Sequence, residues 1–202
     1  MYVDEEPRLR RLNQIAVSVK APQEKADLLL RIAEYSEEGL SDEPQPEAIE
    51  QIVNAYRRVL TQAPGHIEAT ARLSSLLAQS DRVEERAQLL ESHLAASSEG
   101  PERVATHLEL GRMYAERLGD SGQARSLFEA VLALRPHHFE AAAALRALYR
   151  DGGQEPLLLG VLDVLVEHSP ELESRQAVLQ EMSEVAERVG RDEIFGVLRR
   201  RF

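Results

Sequence analysis

The sequence contains no cysteine and no tryptophan. Without cysteine the chain cannot form disulfides, thiolate nucleophiles, iron–sulfur clusters or cysteine-ligated zinc sites. Aromatic residues make up only 4% of the 202 residues, and the 35 acidic residues outnumber the 24 basic ones, which gives a net charge of −11. Because nucleic-acid-binding surfaces are basic and often carry stacking aromatics, we expect no nucleic-acid partner.

Long apolar runs are also missing, since no stretch approaches the roughly 18–20 uninterrupted apolar residues of a membrane helix. The opening residues, Met1–Arg8, lack the basic region and following apolar run of a secretory signal. With 43% hydrophobic and 29% charged residues, the composition is typical of a folded chain rather than a disordered acidic tail. We therefore expect a cytoplasmic protein without membrane insertion.

The sequence has no stretch of convincing strand alternation and no Asn-Gly hairpin turn. Apolar residues instead recur at three- and four-residue steps, as in Leu73, Leu76 and Leu77, and regularly spaced prolines and glycines separate the segments. This pattern predicts an all-α protein. The predicted helices span residues 5–19, 23–39, 46–62, 66–79, 82–96, 102–118, 121–134, 138–150, 154–168, 171–189 and 191–201.

The helix breakers follow a repeat. Pro136 and Pro170 are 34 residues apart, and Pro64 lies 72 residues before Pro136. The segment 57–69 matches the segment 129–141 in Val-Leu, Pro, His, an apolar residue and Glu-Ala. A period near 34 residues that contains two helices indicates a solenoid of helix pairs.

One repeat resembles the tetratricopeptide pattern in all but its leading tryptophan. The matching residues are His107 in place of that tryptophan, Leu110, Gly111, Tyr114, Ala124, Phe128 and Pro136. This repeat is one residue long, and the extra residue falls in the Gly119–Gly122 turn. The alternation of good and poor copies resembles bacterial tetratricopeptide arrays with degenerate double repeats of about 72 residues.

The resemblance implies a right-handed α-α solenoid of antiparallel helix pairs, formed as one array over residues 1–202. The predicted repeats are 23–64, 67–98, 104–136 and 139–170, with 1–20 as an N-terminal helix and 171–202 as a degenerate terminal repeat. The weaker copies depart from the pattern, with Ser74 and Arg146 at the glycine position, Arg86 at the alanine position and Ser98 at the closing proline. Small residues such as Ala33, Gly111 and Ala124 are expected to let helices approach closely, and Tyr56, Tyr114, Phe128 and Leu162 to fill the space between repeats.

The same resemblance implies a non-catalytic protein-interaction scaffold, in which the first helix of each repeat lines a concave groove for a partner protein or peptide. Arginine recurs once per repeat there, and its planar fork suits carboxylates and backbone carbonyls of an extended peptide. The predicted partner-binding residues are Arg31, Glu34, Arg72, Ser75, Glu109, Arg112, Glu116 and Arg150. Alternatively, each arginine pairs with a nearby glutamate (Glu34, Glu68 or Glu109) on a solvated face.

A second possibility is a structural spacer or self-assembly segment of a larger multi-repeat protein, with homo-oligomers formed through terminal repeats. The cluster Arg199–Arg201 favours a polar cap at the end of the array.

We expect no cofactor, no metal site and no enzymatic activity. The adjacent His137 and His138 are expected to point apart, and His66 lies in a distant turn, so these residues are predicted to be polar turn residues near helix starts. His93 and His107 have the spacing of packing residues. Asp42 and Asp120 are expected to cap the helices that follow them. No serine has a recognisable neighbouring base.

Overall fold

The computed structural model describes residues 5–40, 45–97, 100–169 and 171–189, and every regular element in these ranges is a helix. The α-helices are α1 Glu5–Ser18, α2 Pro22–Glu38, α3 Pro46–Gln62, α4 Ile67–Gln79, α5 Val83–Ala96, α6 Pro101–Met113, α7 Ser121–Leu134, α8 Phe139–Asp151, α9 Glu155–His168 and α10 Leu172–Val189. A five-residue π-helical turn, Tyr114–Leu118, extends α6. Each of these helices falls short of the length or the apolarity that crossing a bilayer requires.

The predicted helices from 5–19 to 171–189 are confirmed, with every end within one residue of its predicted position when the π-helical turn is counted with α6. The predicted helix 191–201 and its Arg199–Arg201 cluster lie outside the described residues, as do Asp42, Ser98 and Pro170.

Local sequence explains why the helices begin where they do. Proline occupies the first turn of α2, α3, α6 and α9, where its fixed φ suits a helix and its missing N–H leaves no bond unmade. Other helices begin with a side-chain cap. Asp120 Oδ1 accepts a hydrogen bond from the Gln123 N–H at 2.9 Å and so caps α7, as predicted.

The chain divides into two compact units, Met1–Glu99 and Gly100–Phe202. In unit 1, α1 packs on α2, and the helix pair α2–α3 is followed by the pair α4–α5. In unit 2, the pair α6–α7 is followed by the pair α8–α9, and α10 packs on α9. Within each unit, each helix therefore packs on its neighbours in sequence, because short turns reverse the chain between them.

Each unit has its own apolar core. In unit 1 the largest fully buried side chains include Tyr56, Ile52 and Leu73, and Ala33 is also fully buried. Tyr56, which is predicted to fill the space between repeats, is thus part of this buried core.

In unit 2 the core contains Phe128, Leu145 and Leu162, with Tyr114 partly buried against it. A Cβ added to Gly111 would lie 2.7 Å from Cε1 of Phe128, closer than real Cβ contacts come. The glycine of the tetratricopeptide pattern is therefore required by the close approach of α6 to α7, as predicted.

The extra residue of the repeat 104–136 is accommodated in the helix and not only in the loop. The π-helical turn Tyr114–Leu118 is wider than an α-helical turn, and insertion of one residue is the usual origin of such a turn. Gly119 ends it with a left-handed φ of 69°, and the Asp120 N–H donates to the Tyr114 carbonyl at 3.0 Å. The helix–turn connection thus absorbs the residue before α7 begins.

The degenerate repeat of unit 1 replaces a close contact by a polar one. Ser74 and Arg86 stand where the pattern has glycine and alanine, and Arg86 Nε donates to Ser74 Oγ at 2.9 Å. Burial of the Arg86 guanidinium lowers its pKa. The two departures from the pattern therefore compensate for each other, because each polar group provides the other's hydrogen-bond partner.

Candidate partner-binding surface

The predicted partner-binding residues lie on the first helices of the pairs. We call the outward side of α2 and α4 the first-helix surface of unit 1, and that of α6, α8 and α10 the first-helix surface of unit 2. The exposed members of the predicted set are Arg31, Arg72, Ser75, Arg112, Glu116 and Arg150, and the half-buried members are Glu34 and Glu109.

In unit 2 the predicted arginines contact the next first helix. Arg112 of α6 forms an ion pair with Glu140 of α8. Arg150 of α8 forms one with Glu181 of α10, and its Nε lies 3.0 Å from Glu181 Oε1. Successive first helices of this unit therefore lie side by side, with their charged side chains interleaved.

Glu181 is the most constrained acidic residue on this surface. Arg146 Nε donates to its Oε2 at 2.6 Å while Arg150 holds its Oε1, and its side chain is only 15% exposed. Nearby, Arg188 Nε donates to Glu155 Oε1 at 2.6 Å. A depression of about 440 Å³ is bordered by the three arginines and by Glu181, so it presents guanidinium and carboxylate groups together.

In unit 1 the first-helix surface is less paired. Within the described ranges, Arg31 and Arg72 have no carboxylate at ion-pair distance. Both lie on exposed helix positions, where a long side chain can extend into solvent or onto a partner.

A buried tyrosine lies beneath this part of unit 1. The Tyr56 hydroxyl donates a hydrogen bond to Glu37 Oε2. Burial, and then the hydrogen bond to Glu37, raise the pKa of Tyr56 above its usual value of 10.0, while the charge of Arg72 acts in the opposite direction. Arg72 is thus close enough to influence the Tyr56–Glu37 pair electrostatically.

Two of the predicted arginines pair with glutamates that the sequence alternative does not name. The carboxylates that pair with Arg112 and Arg150 include Glu140 and Glu181, which lie one repeat further along the chain. Spacing within a single helix could not indicate these partners, because they come together only when repeats stack.

The histidines mostly have the predicted local roles. Nδ1 of His66 accepts from the Ala69 N–H at 3.3 Å, and Nδ1 of His138 accepts from the Ala141 N–H at 3.4 Å, so both cap a helix start. His93 and His107 are buried, as predicted for packing residues.

His137 has a neighbour that the sequence argument did not consider. Its ring stacks on that of His168 with centroids 5.3 Å apart. His168 is the last residue of α9 and lies about one repeat after His137 along the chain. Together with Glu167 these residues place one potential metal-ligand atom each within 4.8 Å of one another.

Sequence reasoning also missed a charged network on the second helices of unit 1. Arg82 donates to Glu85 Oε1 and to Glu50 Oε2, each at 2.6 Å, and Arg57 pairs with both glutamates. The hydrogen bond from Arg82 is the main cause of the lowered pKa of Glu85. The network links α3 to α5, and its signal in sequence is complementary charge about one repeat apart.

Solved structures include proteins with a similar architecture. No protein-family model and no curated protein matches the chain, but solved structures do. One is YrrB, which is described as a TPR protein with an unusual peptide-binding site. The match covers 87% of this chain and 86% of the YrrB chain, at 14% sequence identity and a TM-score of 0.54. A mutant of MamA matches 82% of this chain over 84% of its own, at 19% identity and a TM-score of 0.50. A further MamA structure covers 91% of this chain and 99% of its own, at 12% identity and a TM-score of 0.48.

The likeness to YrrB, together with the helix order, defines the fold. The chain is an all-α protein built from helix pairs of the tetratricopeptide type, as its sequence resemblance predicts. At these identities the likeness concerns the fold, so function has to be argued from the surface itself.

Proposed function

We propose that this chain is a non-catalytic scaffold whose first-helix surface binds a partner protein through an extended segment bearing carboxylates. The fold supports this proposal, because stacked helix pairs present long rows of side chains suited to extended ligands. YrrB, which has a similar fold, is described as having a peptide-binding site. The proposal applies to each unit by itself, with the repeats predicted at 23–64 and 67–98 in unit 1 and those predicted at 104–136 and 139–170 in unit 2.

The observation that carries the proposal is an exposed arginine on the first helix of each predicted repeat, with two such arginines in unit 1 and two in unit 2. Arg31 and Arg72 need no internal pair to be broken before they bind, since no carboxylate of the described residues holds them. A guanidinium can grip a carboxylate with two parallel hydrogen bonds, which gives geometric specificity as well as attraction.

Arg112 and Arg150 would differ in their readiness to bind. The side chains of Arg112 and Glu140 are 54% and 44% exposed, and such surface pairs contribute only about 0.2–1 kcal/mol. A partner carboxylate could therefore replace that of Glu140 at low cost. Glu181 is less exposed and is held by two arginines, so exchange of its carboxylate for that of a partner would cost more at Arg150 than at Arg112.

The test is capture of peptides from an immobilised library. The library contains acidic sequences and versions of the same sequences in which the carboxylates are replaced by amides. We expect the wild-type chain to retain the acidic set, and the Arg72→Ala and Arg112→Ala variants to lose it. Arg58→Ala is the matched control, because Arg58 is an exposed arginine on a second helix, α3, and its removal changes the net charge equally. Unchanged capture by both first-helix variants rejects the proposal.

A second candidate function is self-assembly, or service as a spacer in a larger multi-repeat protein. Ile15 and Val17 on α1 are 45% and 80% exposed, and association would bury these apolar side chains. Light scattering over a concentration series tests this candidate. Association that Val17→Glu abolishes would support it, and a monomer at every concentration would exclude self-assembly.

A further inference from the structure

The feature that carries a further inference is the cluster of His137, Glu167 and His168 in unit 2. His137 lies in the turn between α7 and α8, while Glu167 and His168 end α9. All three side chains are exposed, and their potential ligand atoms lie within 4.8 Å of one another. The two imidazole rings are inclined by only 26°, so they face each other across the gap between successive turns.

The tautomer of His168 is set by the backbone. Its Nδ1 lies 3.0 Å from the Val164 carbonyl oxygen, and because a carbonyl can only accept, Nδ1 must carry the hydrogen. In the neutral ring the lone pair is then on Nε2. Histidines that bind metals are oriented in this way, with one nitrogen donating to a backbone carbonyl or carboxylate and the other coordinating the ion.

We propose that His137, Glu167 and His168 form a binding site for a divalent transition-metal ion, with Zn²⁺ as the best-fitting ion. Two imidazole nitrogens and one carboxylate are the ligands of a common three-residue zinc site, which keeps one position open. Ligand atoms around one tetrahedral zinc lie about 3.3 Å apart, given zinc–nitrogen bonds of about 2.0–2.1 Å. The exposed side chains need to close by up to about 1.5 Å to reach this spacing, and the stacked rings need to turn so that their nitrogen lone pairs point at one ion. Changes of side-chain torsion provide both movements.

The ligand set also argues for a transition metal over the hard cations. Ca²⁺ and Mg²⁺ prefer sites made of oxygen ligands, whereas imidazole suits zinc, copper and nickel. A bound ion would join the turn before α8 to the end of α9. It would thereby fasten two successive repeats of unit 2 to each other, which is a role separate from binding on the first-helix surface.

The test is a titration of the full, tag-free chain with ZnCl₂ alone, in which calorimetry measures the heat of binding. The two informative variants are His137→Ala and His168→Ala. The matched controls are His138→Asn and His66→Asn, which each remove one imidazole from a turn. Asparagine is a preferred N-cap residue, so both controls keep the cap that His138 and His66 supply.

We expect one Zn²⁺ per wild-type chain with micromolar affinity, and no binding of Mg²⁺. Each informative variant should weaken Zn²⁺ binding by roughly tenfold or more, since loss of even an outer-shell partner has that effect. The controls should bind as the wild type does. The visible absorption of bound Co²⁺ offers a second readout, because tetrahedral coordination gives bands that the variants should lose.

Three results would overturn the proposal: no Zn²⁺ binding by the wild type below millimolar concentration, unchanged affinity in both informative variants, or equal losses in the controls. Glu167→Gln tests the carboxylate separately. It should weaken binding while circular dichroism stays unchanged, and an unaltered affinity would contradict the three-ligand site.

Discussion

Substitution of Gly111 by alanine tests the most specific packing contact in unit 2. The new methyl group would lie 2.7 Å from Cε1 and 2.8 Å from Cζ of Phe128, whose side chain is itself 2% exposed. An ordinary carbon–carbon contact is about 3.5–4.0 Å long, so the ring or the helices must move by nearly an ångström. The buried ring has little free space into which it can move.

Two opposing terms set the expected magnitude. Inserting a methyl group into a packed core costs about 1–3 kcal/mol. Replacing glycine by alanine within a helix contributes about 1 kcal/mol in the other direction. The net expectation is a loss of about 1 kcal/mol in the free energy of unfolding, which corresponds to roughly 4–8 °C in Tm for a unit of this size.

The chain offers a matched control in the same unit. Gly160 lies within α9 on the exposed side, and a Cβ added there meets nothing within 4 Å. Gly160→Ala should therefore show the helix-propensity term alone and stabilise unit 2 by about 0.5–1 kcal/mol. Urea unfolding followed by far-ultraviolet circular dichroism measures both variants in the same transition.

The interaction with Phe128 can be isolated with a double-mutant cycle. Leucine at position 128 lacks the Cε1 and Cζ atoms that the new methyl group would meet. In the Phe128→Leu background, Gly111→Ala should become neutral or stabilising, which gives a coupling of about 1–2 kcal/mol. If Gly111→Ala stabilises the chain as much as Gly160→Ala while Phe128 is present, the close-contact argument is wrong.

Three further predictions concern single polar contacts. Asp120→Ala removes the cap of α7 and should lower the free energy of unfolding by about 0.5–2 kcal/mol in a urea melt, while Asp120→Asn should retain most of it. Ser74→Ala and Arg86→Ala should be coupled by about 1 kcal/mol in a double-mutant cycle, and purely additive losses would contradict a hydrogen bond between them. Tyr56 and Tyr149 have pKa values raised above 10.0, so the folded state keeps protons that the unfolded chain releases, and stability should fall as the pH rises above 10.0. Tyr56→Phe should make this fall of Tm with pH shallower, and an unchanged slope would count against a buried, protonated Tyr56.

The helices were predictable because their signals are local. Prolines at positions such as Pro22 and Pro46 mark helix starts, and the period of the breakers gives the helix lengths. The close contact at Gly111 was also predictable, since a helix pair of this type needs a small residue where its backbones approach. These features depend on residues within one repeat, and the tetratricopeptide pattern records them.

Contacts between repeats could not be inferred from the same signals. Arg112 and Glu140, like His137 and His168, belong to different repeats and meet only when these stack. The hydrogen-bonded pairs that bridge successive repeats are separated by 28 to 35 residues, which is close to the period of the breakers. A search for complementary side chains at about one repeat's spacing would have found them, whereas spacing within a helix could not.

The degenerate repeats show why a poor match to the pattern need not mean a poorly packed repeat. Arg146 stands at the position that Gly111 occupies in the preceding repeat, yet it donates to Glu181 of α10 and extends the contact between repeats. Ser74 and Arg86 replace two small residues and hydrogen-bond to each other. The same pattern position is therefore used either for close backbone approach, as at Gly111, or for a polar link. Arg146→Gly would restore the small residue and remove one of the two guanidinium groups that contact Glu181. It would not bring the helices closer, because the apolar core between α8 and α9 already sets their spacing.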